Sequence, residues 1–243
     1  MSLDYILKPD AQYELVRLGK DNDGGYLVGA ETIKKADTLI SFGIKNDWSF
    51  EKNFKKLNNQ ASINCYDNQL DLKLLFRLFI IQLIFVLKNF KFKLLIKNFT
   101  DIFEYLILKN KISFHKELIT YGDVKKISQN YESIFFKIDI DGHEYRILEE
   151  LISIKDKIVG LVIEIHDIDL HRDKVINFCN SIGLKLTHNH PNNFAILDKN
   201  GDPTVLELTF ERYPVKIGDE CVLPNKLDMQ NNPLASDVEL KFK

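Results

Sequence analysis

Apolar and polar positions alternate in two distinct rhythms along this chain. Short runs of apolar residues, each about as long as a buried strand, are separated by stretches with helical spacing. Asp37–Phe42 predicts a first strand that ends at Gly43, and Glu51–Leu57 a short helix after it. Ala61–Tyr66 predicts a second strand ending at Asp67. Ser133–Ile140 (SIFFKIDI) predicts a third, followed by Asp141-Gly142 and a helix over Glu144–Ser153. Ile158–Ile165 (IVGLVIEI) predicts another buried strand, and Arg172–Ser181 a helix capped at its C-terminus by Gly183. Leu184–His188, Phe194–Leu197 and Val205–Arg212 then predict three β-rich pieces. Asn200-Gly201 and Asp202-Pro203 provide a turn between the last two. Strands alternating with helices imply a doubly wound α/β sheet, here closing with a late antiparallel hairpin.

One segment breaks this alternation. Leu74–Leu87 is apolar nearly all round, broken by Arg77 and Gln82, and Leu95, Phe99, Ile102, Phe103 and Leu106 fall at helical spacing. The expectation is a helical insertion over about 70–112 within a single domain spanning 1–243. Its longest apolar run, Leu78–Leu87, is about half what a bilayer-spanning helix requires.

Charge sharpens this picture. The formal net charge is −2, yet Lys73–Lys116 holds nine basic residues against two acidic ones, leaving 24 against 33 elsewhere. A basic island on an acidic body suits a local anionic contact, such as a membrane face or an anionic substrate, and not a nucleic-acid binder. The apolar surface of the insertion could equally pack on the domain or against a second copy in a homodimer. Cys65, Cys179 and Cys221 fit no disulfide or zinc spacing and read as free thiols of a reducing cytoplasm. MSLDYILKPD has neither the basic start nor the apolar core of a signal peptide, so a cytoplasmic protein is expected.

In such a sheet, ligands lie beyond the C-terminal strand ends, so the residues following each strand hold the candidate chemistry. Gly43 lets a ligand approach the backbone, and Asp67 stands where an acid accepts hydrogen bonds from the hydroxyls of a ribose. Asp139 and Asp141 alternate with apolar residues and are expected on one face, where two carboxylates need a cation, donors or a shared proton. Glu164 and His166 share a face by the same argument. Thr187–Asn193 reads as a polar loop, with His188, His190 and Asn192 as candidate substrate contacts or, for the histidines, metal ligands.

The run KIDIDGHEYRILEEL (Lys137–Leu151) resembles the motif of FkbM-type S-adenosylmethionine-dependent methyltransferases, K-[IVM]-D-[IV]-[ED]-G-x-E followed by a helix. Further likeness lies in Arg17-Leu18-Gly19 with Asp23-Gly24-Gly25-Tyr26, in SFGI and DWSFE between Ser41 and Glu51, in IEIH, and in the closing LELTFER (Leu206–Arg212). Of the family's glycine-rich first loop only Gly43 remains. The resemblance implies a class I methyltransferase (Rossmann-like) fold and an O-methyltransferase using S-adenosylmethionine. Ser41 and Gly43 would border its methionine part and Asp67 its ribose. Asp23, Gly24 and Gly25 would approach from the N-terminal side, and Asp139 would lie nearest the methyl. A sugar hydroxyl needs a base, for which His143 and His166 are candidates with His188 behind them. Alternatively Mg²⁺ or Mn²⁺ on Asp139, Asp141 and His166 would acidify it. A composition heavy in Lys, Asn and Ile suggests an AT-rich bacterial genome. The acceptor would then be a sugar, phosphorylated or nucleotide-linked sugar of a capsule or lipopolysaccharide.

Two competing expectations remain. A non-catalytic methyltransferase-like scaffold would use the insertion to dock a polysaccharide-assembly complex or membrane surface. A nucleotide-sugar dehydrogenase or epimerase would require a G-x-G-x-x-G after the first strand, which this chain lacks.

Overall fold

In the computed structural model, residues 3–45, 47–68, 80, 81, 84 and 112–243 are described. The helical insertion expected over about 70–112 lies almost entirely outside the described residues. Among the described residues, no helix is long and apolar enough to cross a membrane.

The chain opens with β1 (Gln12–Tyr13) and the hairpin β2 (Val16–Leu18) and β3 (Tyr26–Val28). Helix α1 (Ala30–Lys35) leads to β4 (Thr38–Phe42), α2 (Ser49–Leu57) to β5 (Ser62–Tyr66), and β6 (Ser113–His115) precedes α3 (Asp123–Ile127). Then come β7 (Ile134–Ile138), α4 (Leu148–Ser153), β8 (Ile158–Ile165), α5 (Ile168–Ser181), β9 (Lys185–Pro191), β10 (Leu206–Glu211) and β11 (Lys216–Gly218). Among the described residues, seven strands form the central sheet in the order β6-β5-β4-β7-β8-β10-β9. All pairs are parallel except those of β10, which runs against β8 and β9. Strand order reverses between β4 and β7, which opens a crevice at their C-terminal ends.

Alternation along the strands gives the sheet two unlike faces. Ile40, Phe42, Phe136, Ile138, Ile163, Leu206 and Leu208 join one apolar core with Val175 and Phe178 of α5. The other face packs Leu39, Phe135, Val159 and Val162 against α1, α2 and the N-terminal hairpin, through Ile33, Phe50, Phe54 and Tyr26. Toward the C-terminal strand ends this second face turns polar. Ser41 pairs in register with Lys137, and Glu164 with Glu207, which in turn lies opposite His190.

Three expectations are corrected. Phe194–Leu197 is not a strand: it is loop with one bridge, Leu197 to Pro203, because β9 continues to Pro191 and pairs directly with β10. Glu144–Ser153 divides into a 3₁₀ turn at Glu144–Arg146 and α4, because Glu144 turns inward and is fully buried. The helix expected over Arg172–Ser181 is present, but a further turn from Ile168 precedes it, with a kink at His171 (φ −130°) between the two.

Where β10 reaches the opposite edge of the sheet, Glu211 accepts hydrogen bonds from the Gly29 N–H at the start of α1 and from the Thr32 hydroxyl (3.1 Å). Burial pushes its carboxyl up to about 7, against the downward pull of those two donors. The folded state therefore keeps a proton that the unfolded chain releases near its ordinary value of 4.5. Stability from this group falls as pH rises from about 4.5 through 7, by about 3 kcal/mol. Thermal unfolding of Glu211→Gln across that window should lack this part of the decline. An unchanged pH profile would mean that Glu211 does not carry it.

Candidate functional site

The loop after β4 is the tightest point of the rim. Gly43 has φ +74°, and a Cβ there would overlap the carbonyl oxygen of Asp139. Its N–H donates to Tyr66 O (3.0 Å), and its own carbonyl accepts from Lys137 Nζ (3.0 Å). The Asp139 N–H donates in turn to Phe42 O (3.1 Å), so the ends of β4, β5 and β7 are tied together. Among the described residues, the three non-glycine residues with left-handed backbone, Lys45, Asp141 and Asp167, all lie on loops that leave this rim. Left-handed backbone in such residues is strained and collects at functional loops.

Two adjoining hollows share Gly43, Lys45 and Asp139. One continues past Tyr66, Asp67, Leu118, Ile119, Asp141 and His143. The other runs toward Lys20, Asp23, Gly24, Asp47, Phe50 and Lys137. Asp67 accepts the Lys45 N–H (2.6 Å), and Lys45 Nζ reaches Asp141 (3.0 Å). The Tyr66 ring stacks on His115 beside them, with centroids 4.4 Å apart. The turn holding Asp23, Gly24 and Gly25 is shaped by Arg17, whose guanidinium donates to the carbonyls of Lys20, Asp21 and Asn22.

Beyond Asp139 the rim is acidic. Asp139, Glu164 and His166 bring one ligand atom each within 4.8 Å of one another. His166 Nδ1 lies 3.1 Å from Glu144 Oε1, which also accepts from the N–H groups of Ile140 and Gly142. Glu164 accepts from Asn192 Nδ2 (2.7 Å) and from the Tyr26 hydroxyl (3.3 Å). Burial raises the Asp139 carboxyl, against the pull of Lys137, Lys45 and His166. Burial, then the charges of Asp139 and Glu207, push Glu164 up. Burial works to lower His166, but the hydrogen bond to Glu144 and the surrounding carboxylates outweigh it and raise the imidazole.

The structure thus gathers Gly43, Asp67, Asp139 and His143 along one hollow, and Asp23 and Gly24 along the other. Three other expected placements are corrected. Ser41 is fully buried and donates its hydroxyl to Glu51 (2.5 Å), and so lines neither hollow. Asp141 does not share a face with Asp139, because β7 ends at Ile138 and the chain turns through Asp141 (φ +51°) and Gly142 (φ +90°). Asp141 is exposed and paired with Lys45, so the set Asp139, Asp141 and His166 is replaced by Asp139, Glu164 and His166.

The third concerns His188 and His190, which lie in β9 and not in a loop. His188 Nε2 is 2.9 Å from Asp228, and His190 Nδ1 3.4 Å from Glu207. Both are buried beneath the C-terminal tail, where Asn231 also donates to Glu207 (2.6 Å) and Asn193 to the carbonyls of Asn232, Ala235 and Ser236. They hold the tail to the sheet. Asn192, two residues after His190, reaches the rim through Glu164.

Residue reasoning missed Glu144 and Glu207 as parts of the rim. Alternation in LELTFE could have placed Glu207 beside Glu164. The inward turn of Glu144 depends on the 3₁₀ geometry and leaves no trace in spacing.

No protein-family model matches the chain, and no curated protein matches it in sequence. Among solved structures it is similar to precorrin-6y C5,15-methyltransferase from Geobacter metallireducens GS-15, at 11% identity and TM-score 0.39, over 75% of this chain and 84% of that one. It is similar to an rRNA methylase from Streptococcus thermophilus at 13% identity and TM-score 0.38, over 77% and 92%. It is also similar to a chain of a fibrillarin/Nop5p complex at 8% identity and TM-score 0.40, over 74% of each chain. The mostly parallel seven-stranded sheet, with β10 reversed between β8 and β9, is the Rossmann-like class I methyltransferase fold.

Removing the Asp228 carboxylate leaves His188 buried beside a lost partner, at about 1–3 kcal/mol. Asp228→Ala should lower the melting temperature and speed tryptic cleavage at Lys226. Unchanged melting and cleavage would show that this pair does not hold the tail.

Proposed function

We propose that this chain is an S-adenosylmethionine-dependent O-methyltransferase of the FkbM type, acting on a hydroxyl of a sugar or a phosphorylated or nucleotide-linked sugar. The observation that carries this reading is the largely buried carboxylate pair Asp139 and Glu164, set beside the bare backbone of Gly43 at the point where strand order reverses. A rim of that charge favours a cationic sulfonium and disfavours the pyrophosphate of a dinucleotide. Asp67 stands at the tip of the neighbouring strand, where the ribose diol of an adenosine would be met.

On this reading the cofactor lies along the hollow from Asp67 to Asp139, with Asp23 and Gly24 closing it from the N-terminal side. An acceptor hydroxyl over Glu164 and His166 would attack the methyl carbon in line with the carbon–sulfur bond. The new carbon–oxygen bond forms as that bond breaks, and sulfur leaves as a neutral thioether. The hydroxyl proton goes to the Glu164–His166 pair in the form in which that pair has given up a proton. Positioning supplies most of the acceleration, since the leaving group is already charged. A hydrogen-bonding acceptor suits the polar residues Asn192 and His166 on this side. A surface polysaccharide would be one source of such a sugar, with methylation on the cytoplasmic side before export.

Calorimetric titration with S-adenosylhomocysteine tests the cofactor. Wild-type protein should bind with micromolar affinity, and Asp67→Ala should weaken binding about tenfold or more. Gly43→Ala should lose binding as well, because the added methyl displaces the loop. Folded wild-type protein that does not bind would contradict the enzyme and favour the scaffold; equal binding by Asp67→Ala would contradict the ribose contact.

A further inference from the structure

We infer that Asp139, Glu164 and His166 form a divalent-cation site of the Mn²⁺ or Mg²⁺ class. The three groups converge from the ends of β7 and β8, with their ligand atoms within 4.8 Å of one another. The surroundings orient two of the three ligands as metal sites require. Glu144 is fully buried and occupies His166 Nδ1, which makes that nitrogen the donor and turns Nε2 toward the carboxylates, 3.8 Å from Glu164 Oε1. Glu144 is itself fixed by the N–H groups of Ile140 and Gly142 at the left-handed Asp141-Gly142 turn. Glu164 is steered by Asn192 and Tyr26.

The charge of the rim agrees with that geometry. Asp139, Glu164 and, opposite it in register, Glu207 place three carboxylates on one largely buried rim. The buried ammonium of Lys137 donates to Gly43 O and stays 4.0 Å from Asp139. With His166 deprotonated in its ligating form, two carboxylates would carry the charge that a divalent ion cancels. Oxygen-rich ligands with one imidazole suit Mn²⁺ or Mg²⁺ better than zinc, which favours four-coordinate nitrogen and sulfur sets. Three protein ligands leave positions open for water or an acceptor oxygen. Acidifying an acceptor hydroxyl there would deepen the methyltransferase reading and rests on it, whereas ion binding does not.

The test is titration of the EDTA-treated full chain with Mn²⁺, following the free ion by electron paramagnetic resonance. The wild type should take up one ion per chain, displaced by excess Mg²⁺. Glu164→Gln and His166→Ala should each weaken uptake tenfold or more, whereas Asp141→Asn should not change it. Circular dichroism and melting establish folding for each variant, with Asp139→Asn replacing any that fails. No uptake by the wild type at millimolar Mn²⁺ would overturn the site, as would equal uptake across the variants or loss confined to Asp141→Asn. S-adenosylhomocysteine titration of the same samples separates the two ideas. Cofactor binding without Mn²⁺ uptake overturns the cation site alone, and Mn²⁺ uptake without cofactor binding overturns the methyltransferase reading alone.

Discussion

The close approach of Gly43 to the carbonyl of Asp139 is the constraint on which the site depends. Parallel strands β4 and β7 are neighbours, yet their connections leave in opposite directions, so the backbone must part just beyond Phe42 and Ile138. A side chain at Gly43 would drive into the carbonyl of Asp139. With glycine there, Tyr66 O, Lys137 Nζ and Phe42 O hold the two strand ends together, and the crevice has a floor of main chain. Asp67 and Asp139 are then displayed on its two sides by strand geometry alone.

Placing polar groups at this edge raises a burial problem, solved by a chain of partners. Lys137 lies in the middle of an otherwise apolar strand, with its ammonium spent on Gly43 and facing the ring of Tyr26 (5.8 Å). Ser41 occupies Glu51, Glu144 is held by main-chain N–H groups, and Glu164 by Asn192 and Tyr26. Glu207 is reached by His190 and Asn231, which extend the network to the C-terminal tail. A rim assembled from distant parts of the chain is therefore coupled to the docking of residues that touch no ligand. The low dielectric that makes each unpaired group costly also strengthens whatever the rim binds.

Strand periodicity made much of the fold legible, because a buried parallel strand must be apolar over its whole length. Ile158–Ile165 was readable to the residue for that reason. Regular alternation stops being informative where a strand ends: it carried Asp139 to the right face but extended the pattern one residue pair too far, to Asp141. His188 and His190 were misplaced because polar residues in a strand look like a loop when their partners, Asp228 and Glu207, lie far along the chain. Local periods do not encode such long-range pairs. Glu207 was the recoverable omission, since LELTFE alternates apolar and polar residues from end to end.

A crystal structure grown with S-adenosylhomocysteine and Mn²⁺ would show what occupies the crevice. It should show ribose hydroxyls at Asp67, sulfur facing Asp139, and an anomalous Mn²⁺ peak between Asp139, Glu164 and His166. Density for the nucleoside elsewhere, or an empty crevice at saturating ligand, would contradict the account.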